Sequence, residues 1–486
     1  MWQFSSFMPG IAGWIASPGQ DARPVVQQML QAMTHEPWQV SGCVCVEPLG
    51  LAVAWVCHPG SFADCQPIWN AERTVGLAFA GEHFSDGDSQ SAPVERQLGP
   101  ALTAAKLSAD YERLGGRFFE KLNGWFSGLL WDLRERKAVL FNDRYGLNRI
   151  YWHEDGGGFY FSSEAKALLR VLPRLRRLHP AGWSEFFELG GPIQERSIFS
   201  GISLLPGGSA WTFRLGEKEE RTSYFKKEAW EQQPPLDADQ YYLRLRETLT
   251  RVVPRYLHGR QKVALSLTGG LDTRVILACA KPEPGALPCY TYGGMLREAQ
   301  DVVISRRIAA ECQQPYQVIA LESGFFREFS ALAARSVFVT DGAFDVSGAV
   351  GLFTNRAARA VAPIRLTGNY GSEILRGNVV FRPHALEGSL FHGDFLPALQ
   401  KARASYAEER RVSRTSFIAF KQVPWHHYGR LAMEQSQLTQ RSPYLDNELV
   451  ALAYQAPVDA EVNRALACRL ITEWSPALAR IATDFG

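Results

Sequence analysis

With 486 residues the chain is too long for one ordinary hydrophobic core, so two domains are expected. Lys and Arg number 52 against 50 Asp and Glu, a net of +2 without long single-sign runs. This argues against nucleic acid as the main partner and for a small-molecule or peptide substrate. Eight scattered cysteines show no zinc-type spacing, the N-terminus has no basic n-region, and nowhere do eighteen apolar residues run together. Reduced thiols, no membrane span and a cytosolic location are therefore expected.

The first half is a series of short aromatic and β-branched runs broken by glycine turns, the pattern of two packed antiparallel sheets. In chain order they are PGIAGWI (Pro9–Ile15), AGEHF (Ala80–Phe84), LNGWFSGLLWD (Leu122–Asp132), NDRYGLNRIYW (Asn142–Trp152), FSSEAKALL (Phe161–Leu169) and SIFSGISLLPGGSAW (Ser197–Trp211). Cys43 and Cys45 lie two apart on one such run, face the same side, and are expected to pack in a core. The order of these runs resembles the glutaminase domain of asparagine synthetases and its N-terminal-nucleophile relatives. The corresponding segments there read CGIAGI, NGEIYN, L-x-G-x-F-A-F-x-x-x-D, RDPLGIKPLYY, FASEIKALL and IFKGIKKLPPGHYL.

The resemblance implies an Ntn-hydrolase-like two-sheet sandwich. It also shows what is replaced. The cysteine whose own α-amino group acts as base is matched by Pro9, which lies behind Met8. The oxyanion asparagine is matched by Ala80, and no counterpart of an arginine-containing HRGPD segment is found. The expectation is a domain of this fold that does not hydrolyse glutamine and serves as a structural partner or substrate platform.

The polar stretch KKEAWEQQPPLDAD (Lys226–Asp239), with Pro234–Pro235 and capping aspartates, marks a boundary, giving domains 1–230 and 231–486. YYLRLRETLTRVV predicts an amphipathic helix with Leu243, Leu245, Leu249 and Val252 on its apolar face. VALSLTGGLDTR (Val263–Arg274) runs from strand alternation through two glycines into a helix, a backbone suited to an anion, though without a Walker lysine. LPCYTYGG predicts a second strand and REAQDVVISRRIAAEC a helix with apolar positions at Val302, Val303, Ile304 and Ile308. QPYQVIAL predicts a third strand. Such repeats give a parallel sheet whose ligand sits at the C-terminal strand edges, here Gly269–Gly270 and Thr291–Gly293. His426–His427 stand without a third ligand and are expected to be core or solvated histidines.

VALSLTGGLDTR resembles the SGGLDS pyrophosphate loop of the ATP pyrophosphatases, and RLTGNYGSEILRG (Arg365–Gly377) resembles LSGEGSDELFGG of the asparagine synthetase family. RSPYLDNELVALAYQAP (Arg441–Pro457) is similar to that family's RVPFLDHRLVEFAxxLP. The resemblance implies a parallel-sheet α/β ATP-pyrophosphatase domain, of adenine nucleotide α-hydrolase type, using ATP and Mg²⁺. Its implied nucleotide-binding set is Leu265, Thr268, Gly269, Gly270, Leu271, Asp272, Thr273, Tyr292, Gly293, Gly371 and Ser372. Asp272 is implied as catalytic and as a Mg²⁺ ligand, with Glu373 as the second acid, one methylene longer than the family's aspartate. Tyr370 stands where asparagine synthetases carry glutamate and the β-lactam synthetase branch carries a tyrosine that helps deprotonate an amine. A ring packed on the nucleotide or on its own turn is the alternative. Glu408 or Glu409 are candidates to tune that phenol, although a solvated helix face explains them as well. The family's C-terminal lysine has no counterpart, since no lysine follows Lys421; Arg464, Arg469 and Arg480 are the candidate substitutes.

The function expected is ATP-dependent formation of an amide from a small-molecule or peptide carboxylate and an amine or ammonia, with a homodimer as the candidate assembly. Three readings stay open at this point: ammonia-dependent asparagine synthesis, an amine-using ligase like the β-lactam synthetases or lasso-peptide cyclases, and a non-catalytic nucleotide-binding scaffold.

Overall fold

A computed structural model describes residues 9–34, 38–84, 100–294, 298–384, 386–457 and 460–483. The chain forms two compact units. The first comprises Met1–Lys226, Val337–Phe344 and Val380–Ser436; the second comprises Lys227–Ser336, Asp345–Val379 and Gln437–Gly486. The division is thus not one cut along the sequence.

In the first unit, six strands form an antiparallel sheet in the order Ser203–Leu204, Tyr151–Asp155, Gly158–Ser162, Gly10–Ala16, Leu51–Cys57 and Val40–Val46. A second six-stranded sheet runs Glu220–Ser223, Ser209–Phe213, Lys137–Asn142, Phe126–Asp132, Val75–Gly81 and Ile68–Trp69. Alternation along each strand feeds two apolar layers at once. Ile11, Val53, Trp55 and Phe161 of one sheet meet Ala78, Ala80, Leu129, Trp131 and Leu140 of the other. Ala12, Trp14, Ala54 and Val56 point the opposite way, onto Val26, Met29 and Met33 of the helix Arg23–Met33. Leu77, Phe79 and Phe141 likewise pack with Leu107 and Tyr111 of the helix Pro100–Leu114. The result is a helix–sheet–sheet–helix sandwich. Cys43 and Cys45 pack against its outer core as expected, while Cys468 is exposed.

Four strand glycines sit directly opposite aromatic residues in register: Gly13 and Phe161, Gly42 and Trp55, Gly76 and Trp131, Gly128 and Phe141. In each case a Cβ would fall within 2.5 Å of the ring, so the aromatic lies over the bare backbone. Two segments distant in sequence complete this unit. Asp341 accepts N–H bonds from Ala165 (2.7 Å) and Lys166 (3.2 Å) and pairs with the Lys166 ammonium at 3.0 Å. Arg149 donates to the Pro424 carbonyl at 2.7 Å and lies 3.4 Å over the Tyr428 ring.

The second unit is built on a five-stranded, all-parallel sheet in the order Tyr316–Ala320, Cys289–Gly293, Val263–Ser266, Ile364–Thr367 and Thr439–Arg441. Starting from Val263–Ser266 the chain adds two strands on one side and then two on the other. The switch point therefore lies between Val263–Ser266 and Ile364–Thr367. The helix before it runs Ala238–Leu257, with Asp237 capping the Gln240 N–H at 2.9 Å. Leu245, Leu249 and Val252 are buried as expected, together with Tyr241, Tyr242 and Tyr256. Leu243 is not: it is 58% exposed, because the buried face recurs at 241, 245, 249, 252 and 256 and leaves 243 on the far side. Among the described residues no helix is long and apolar enough to cross a membrane.

Candidate active site

The loops that leave the two strands flanking the switch point meet at Asp272 and Thr273. From Val263–Ser266, buried throughout, the chain passes Leu267 and Thr268 into Gly269–Gly270 and starts the helix Leu271–Ala280. From Ile364–Thr367 it passes Gly368, Asn369 and Tyr370 into the short helix Gly371–Arg376. A Cβ on Gly368 would approach the Thr273 nitrogen to 2.9 Å, and one on Gly371 would lie 2.5 Å from Asp272 Cγ. Only glycine lets both loops close on Asp272. Behind them, Tyr444 donates to the Asp272 carbonyl at 2.7 Å and Ser442 to the Asn369 carbonyl at 2.6 Å, so the Arg441–Pro457 segment fastens both loops.

Within the first loop, Thr268 N–H donates to Thr273 Oγ1 and the two hydroxyl oxygens lie 3.3 Å apart. The Gly269 N–H donates to Asp301 Oδ1 at 2.8 Å, from the first turn of the helix Gln300–Glu311. The buried guanidinium of Arg274 gathers the carbonyls of Gly269 (3.0 Å), Leu478 (3.3 Å), Ile481 (2.5 Å) and Ala482 (3.1 Å). It ties the glycine turn to the last described stretch of chain.

Asp272 makes an end-on, two-pronged pair with Arg376, Nη1–Oδ1 2.7 Å and Nη2–Oδ2 2.9 Å. Burial opposes the Arg376 charge, but the Asp272 pair holds this guanidinium above its ordinary pKa. Glu373 accepts a bond from Ser372 Oγ at 2.8 Å; burial, aided by the Asp272 charge, pushes its carboxyl up, while Arg376 pulls it down. Asp272 and Glu373 together offer hard carboxylate oxygens, which fits Mg²⁺ held by one or two acids with the remaining positions left to phosphate and water. No group of three or more such ligands occurs among the described residues. The space beside Gly269, Gly368 and Gly371 is filled by Asp301, Thr273 and Asp272, so what the first loop offers an anion is the backbone N–H groups at the start of the helix Leu271–Ala280.

The other residues singled out in sequence sort as follows. Leu265 is fully buried, so it offers its backbone at the site. Tyr292 Oη donates to Asn355 at 2.9 Å, a Cβ on Gly293 would strike Val318, and Thr291 Oγ1 donates to the Leu267 carbonyl at 2.7 Å. The second strand edge is therefore tied to the first. Tyr370 is 4% exposed and adopts φ 72°, ψ −6°, a left-handed conformation that for an aromatic residue costs about 1–3 kcal/mol. Glu409 pairs with Lys421 and accepts from Gln194, and Glu408 pairs with Arg411, so both belong to ion pairs of the first unit. Arg469 pairs with Asp239 and Glu473, and Arg464 and Arg480 are exposed. His426 stacks on Phe381, and burial pushes His427 down to about 3, as suits neutral core histidines. Asp301, Arg274, Arg376 and Tyr444 were not singled out in sequence; each acts through a contact 32 to 208 residues away along the chain.

In the first unit, Pro9 heads the strand Gly10–Ala16, and Ala80 is 1% exposed at the centre of the inter-sheet core. Ile11 N–H donates to Ser163 Oγ at 3.0 Å, and the Ala80 carbonyl accepts from Asn148 at 3.4 Å. Asp143 gathers the N–H groups of Tyr145, Leu147 and Asn148 at 3.0, 3.1 and 2.8 Å, and burial pushes its carboxyl up to about 6. The loop framework is in place, and neither Pro9 nor Ala80 has a nucleophile or a side-chain donor to offer.

Comparison with known proteins agrees with both halves. The glutamine amidotransferase domain family matches residues 8–225, and the asparagine synthase family matches residues 244–469. Glutamine-hydrolyzing asparagine synthetase 3 of Bacillus subtilis (strain 168) is 30% identical over 189 residues, covering 36% of this chain and 28% of that protein. Amidase chyE of Penicillium rubens is 26% identical over 287 residues, covering 55% and 41%. The chain thus spans less than half the length of these two curated relatives. Among solved structures, glutamine phosphoribosylpyrophosphate amidotransferase from B. subtilis, complexed with ADP and GMP, aligns with a TM-score of 0.32 and 12% identity over 64% of this chain and 65% of that one. An amidotransferase-type sandwich joined to a parallel-sheet unit, each matched by its own domain family in the same order, makes the chain a member of the asparagine synthetase family.

Proposed function

We propose that the chain is an ATP-dependent, AMP-forming carbon–nitrogen ligase that joins a substrate carboxylate to an amine or ammonia without hydrolysing glutamine. The observation that carries this reading is the closure of two glycine-lined loops on Asp272 at the switch point of the parallel sheet. The helix start beyond Gly270 presents backbone N–H groups to phosphate oxygens, and acids stand beside it for a divalent ion. When bound there, Mg²⁺ supplies charge neutralisation at the phosphates. Asp272 and Glu373 would hold it.

The chain's residues divide the remaining work. A substrate carboxylate oxygen bonds to Pα, the Pα–O bond to the β-phosphate breaks, and pyrophosphate leaves past Gly269, Gly270 and the hydroxyls of Thr268 and Thr273. The amine nitrogen then bonds to the acyl carbon, the C–O bond to AMP breaks, and one proton must leave the nitrogen. Tyr370 is the candidate to relay that proton, its hydroxyl passing its own proton on to solvent or a neighbouring carboxylate as it takes the amine's; its left-handed backbone is a local strain of the kind held at reactive positions. Pro9 and Ala80 favour an external amine or ammonia over one released from glutamine. To test the reading, the protein is incubated with ATP, Mg²⁺, a pool of carboxylates and hydroxylamine as a small amine. AMP with pyrophosphate and a hydroxamate are expected; ADP with phosphate contradicts it.

A further inference from the structure

We propose that Arg376 is the pyrophosphate-binding cation of this site: its guanidinium pairs with Asp272 and moves to the phosphate oxygens when a divalent ion takes that carboxylate. The proposal rests on the ligase reading above and adds to it a residue that the sequence motifs do not assign.

Three observations support it. The first is charge. Asp272, Glu373 and Asp301 all converge on the two loops, and the Gly269 N–H is already spent on Asp301. A polyphosphate approaching these loops meets the acids, and the Arg376 guanidinium is already paired with one of them, whereas the Arg274 guanidinium is spent on carbonyls. The second is geometry. The fork lies end-on to Asp272, 2.7 and 2.9 Å away, and the same planar fork suits two oxygens of a phosphate. The third is access. The side chains of Arg376 and Asp272 keep 19% and 21% of their surface exposed, so the pair is reachable from solvent. Arg469, by contrast, is committed to Asp239 and Glu473.

The exchange replaces one oxyanion by another on the same guanidinium, so Arg376 keeps a partner throughout. While so paired, it competes with the metal for Asp272. Removing it should therefore affect metal and pyrophosphate in opposite directions, whereas a merely structural role weakens both together.

The test uses calorimetry on the full chain with three probes: Mn²⁺ alone, inorganic pyrophosphate alone, and ATP with Mg²⁺. In Arg376→Gln, Mn²⁺ should bind roughly threefold or more tighter, and pyrophosphate roughly tenfold or more weaker, the loss of a charge-assisted pair. Asp272→Asn, which leaves the guanidinium without its carboxylate, should bind metal-free pyrophosphate more tightly than wild type; it keeps the test open if Arg376→Gln does not fold. If wild type binds ATP but pyrophosphate affinity is unchanged in Arg376→Gln, or Mn²⁺ and pyrophosphate weaken together, the proposal is overturned and the ligase reading stands. If wild type binds no ATP, both fall.

Discussion

Gly371→Ala is the most economical perturbation of the candidate site. The added Cβ would lie 2.5 Å from Asp272 Cγ, 2.7 Å from its Oδ1 and 2.8 Å from its Cβ, where ordinary contact starts at 3.4 Å. The carboxylate must retreat by about 0.9 Å, the difference between contact and overlap. Its backbone cannot follow, because Tyr444 holds the Asp272 carbonyl at 2.7 Å. The side chain therefore swings, and the pair with Arg376 is broken. Overpacking of this kind costs about 1–3 kcal/mol of stability, and for a unit of this size each kcal/mol is worth roughly 2–4 °C of Tm. A displacement near an ångström at reacting groups costs on the order of a hundredfold in rate. Differential scanning calorimetry and ATP titration of wild type, Gly371→Ala and the control Gly116→Ala, whose Cβ would meet nothing within 4 Å, separate the effects. The expected outcome is a Tm several degrees lower and ATP affinity reduced severalfold in the first variant alone. A Gly371→Ala protein matching the control in both would refute the close packing of the two loops on Asp272.

Three further outcomes are expected. Purified protein should release no glutamate from glutamine above background, because Pro9 and Ala80 supply neither thiolate nor side-chain oxyanion donor; turnover unchanged on replacing Pro9 would count against this. With a substrate in hand, Tyr370→Phe should leave pyrophosphate release near wild type while slowing amide formation roughly a hundred- to ten-thousandfold, as loss of a proton acceptor does; equal slowing of both steps would make Tyr370 a packing residue. His427 is pushed down to about 3 by burial first, then by His426 and Arg430. Its folded value lies below its unfolded one, so its stabilising contribution is complete above about pH 6.5 and is lost as pH falls toward 3. Melting curves from pH 7 to 4 should show a stability loss of up to about 1.4 kcal/mol per pH unit that His427→Gln reduces; parallel curves for the two proteins would contradict it.

What could be read from sequence was what local chemistry dictates. Gly269–Gly270 between a buried strand and a helix, the Asp237 cap, and the alternation of the first half all appear in the structure at the positions the pattern gives. What could not be read depends on pairings across the chain. Arg376 lies inside the motif Arg365–Gly377 but falls where the resembled segment LSGEGSDELFGG has phenylalanine, so nothing local marks it as the partner of Asp272, 104 residues earlier. Asp301 reads as an ordinary first-turn acid until the Gly269 N–H is found beside it. The membership of Val380–Ser436 in the first unit is a matter of tertiary burial, and no composition shift announces it. Leu243 is apolar yet lies off the buried face, which the tyrosines at 241, 242 and 256 carry instead, so apolar character alone does not mark that face.

Everything proposed for this chain depends on the loops at the sheet switch point forming a working nucleotide site. The most direct measurement is an equilibrium titration of the full chain with ATP and Mg²⁺, repeated on Asp272→Asn. The account predicts saturable binding near one nucleotide per chain in both proteins, with production of AMP and pyrophosphate collapsing in the variant while nucleotide affinity changes far less. No saturable binding by wild type at millimolar ATP, or equal AMP production by the two proteins, would contradict it.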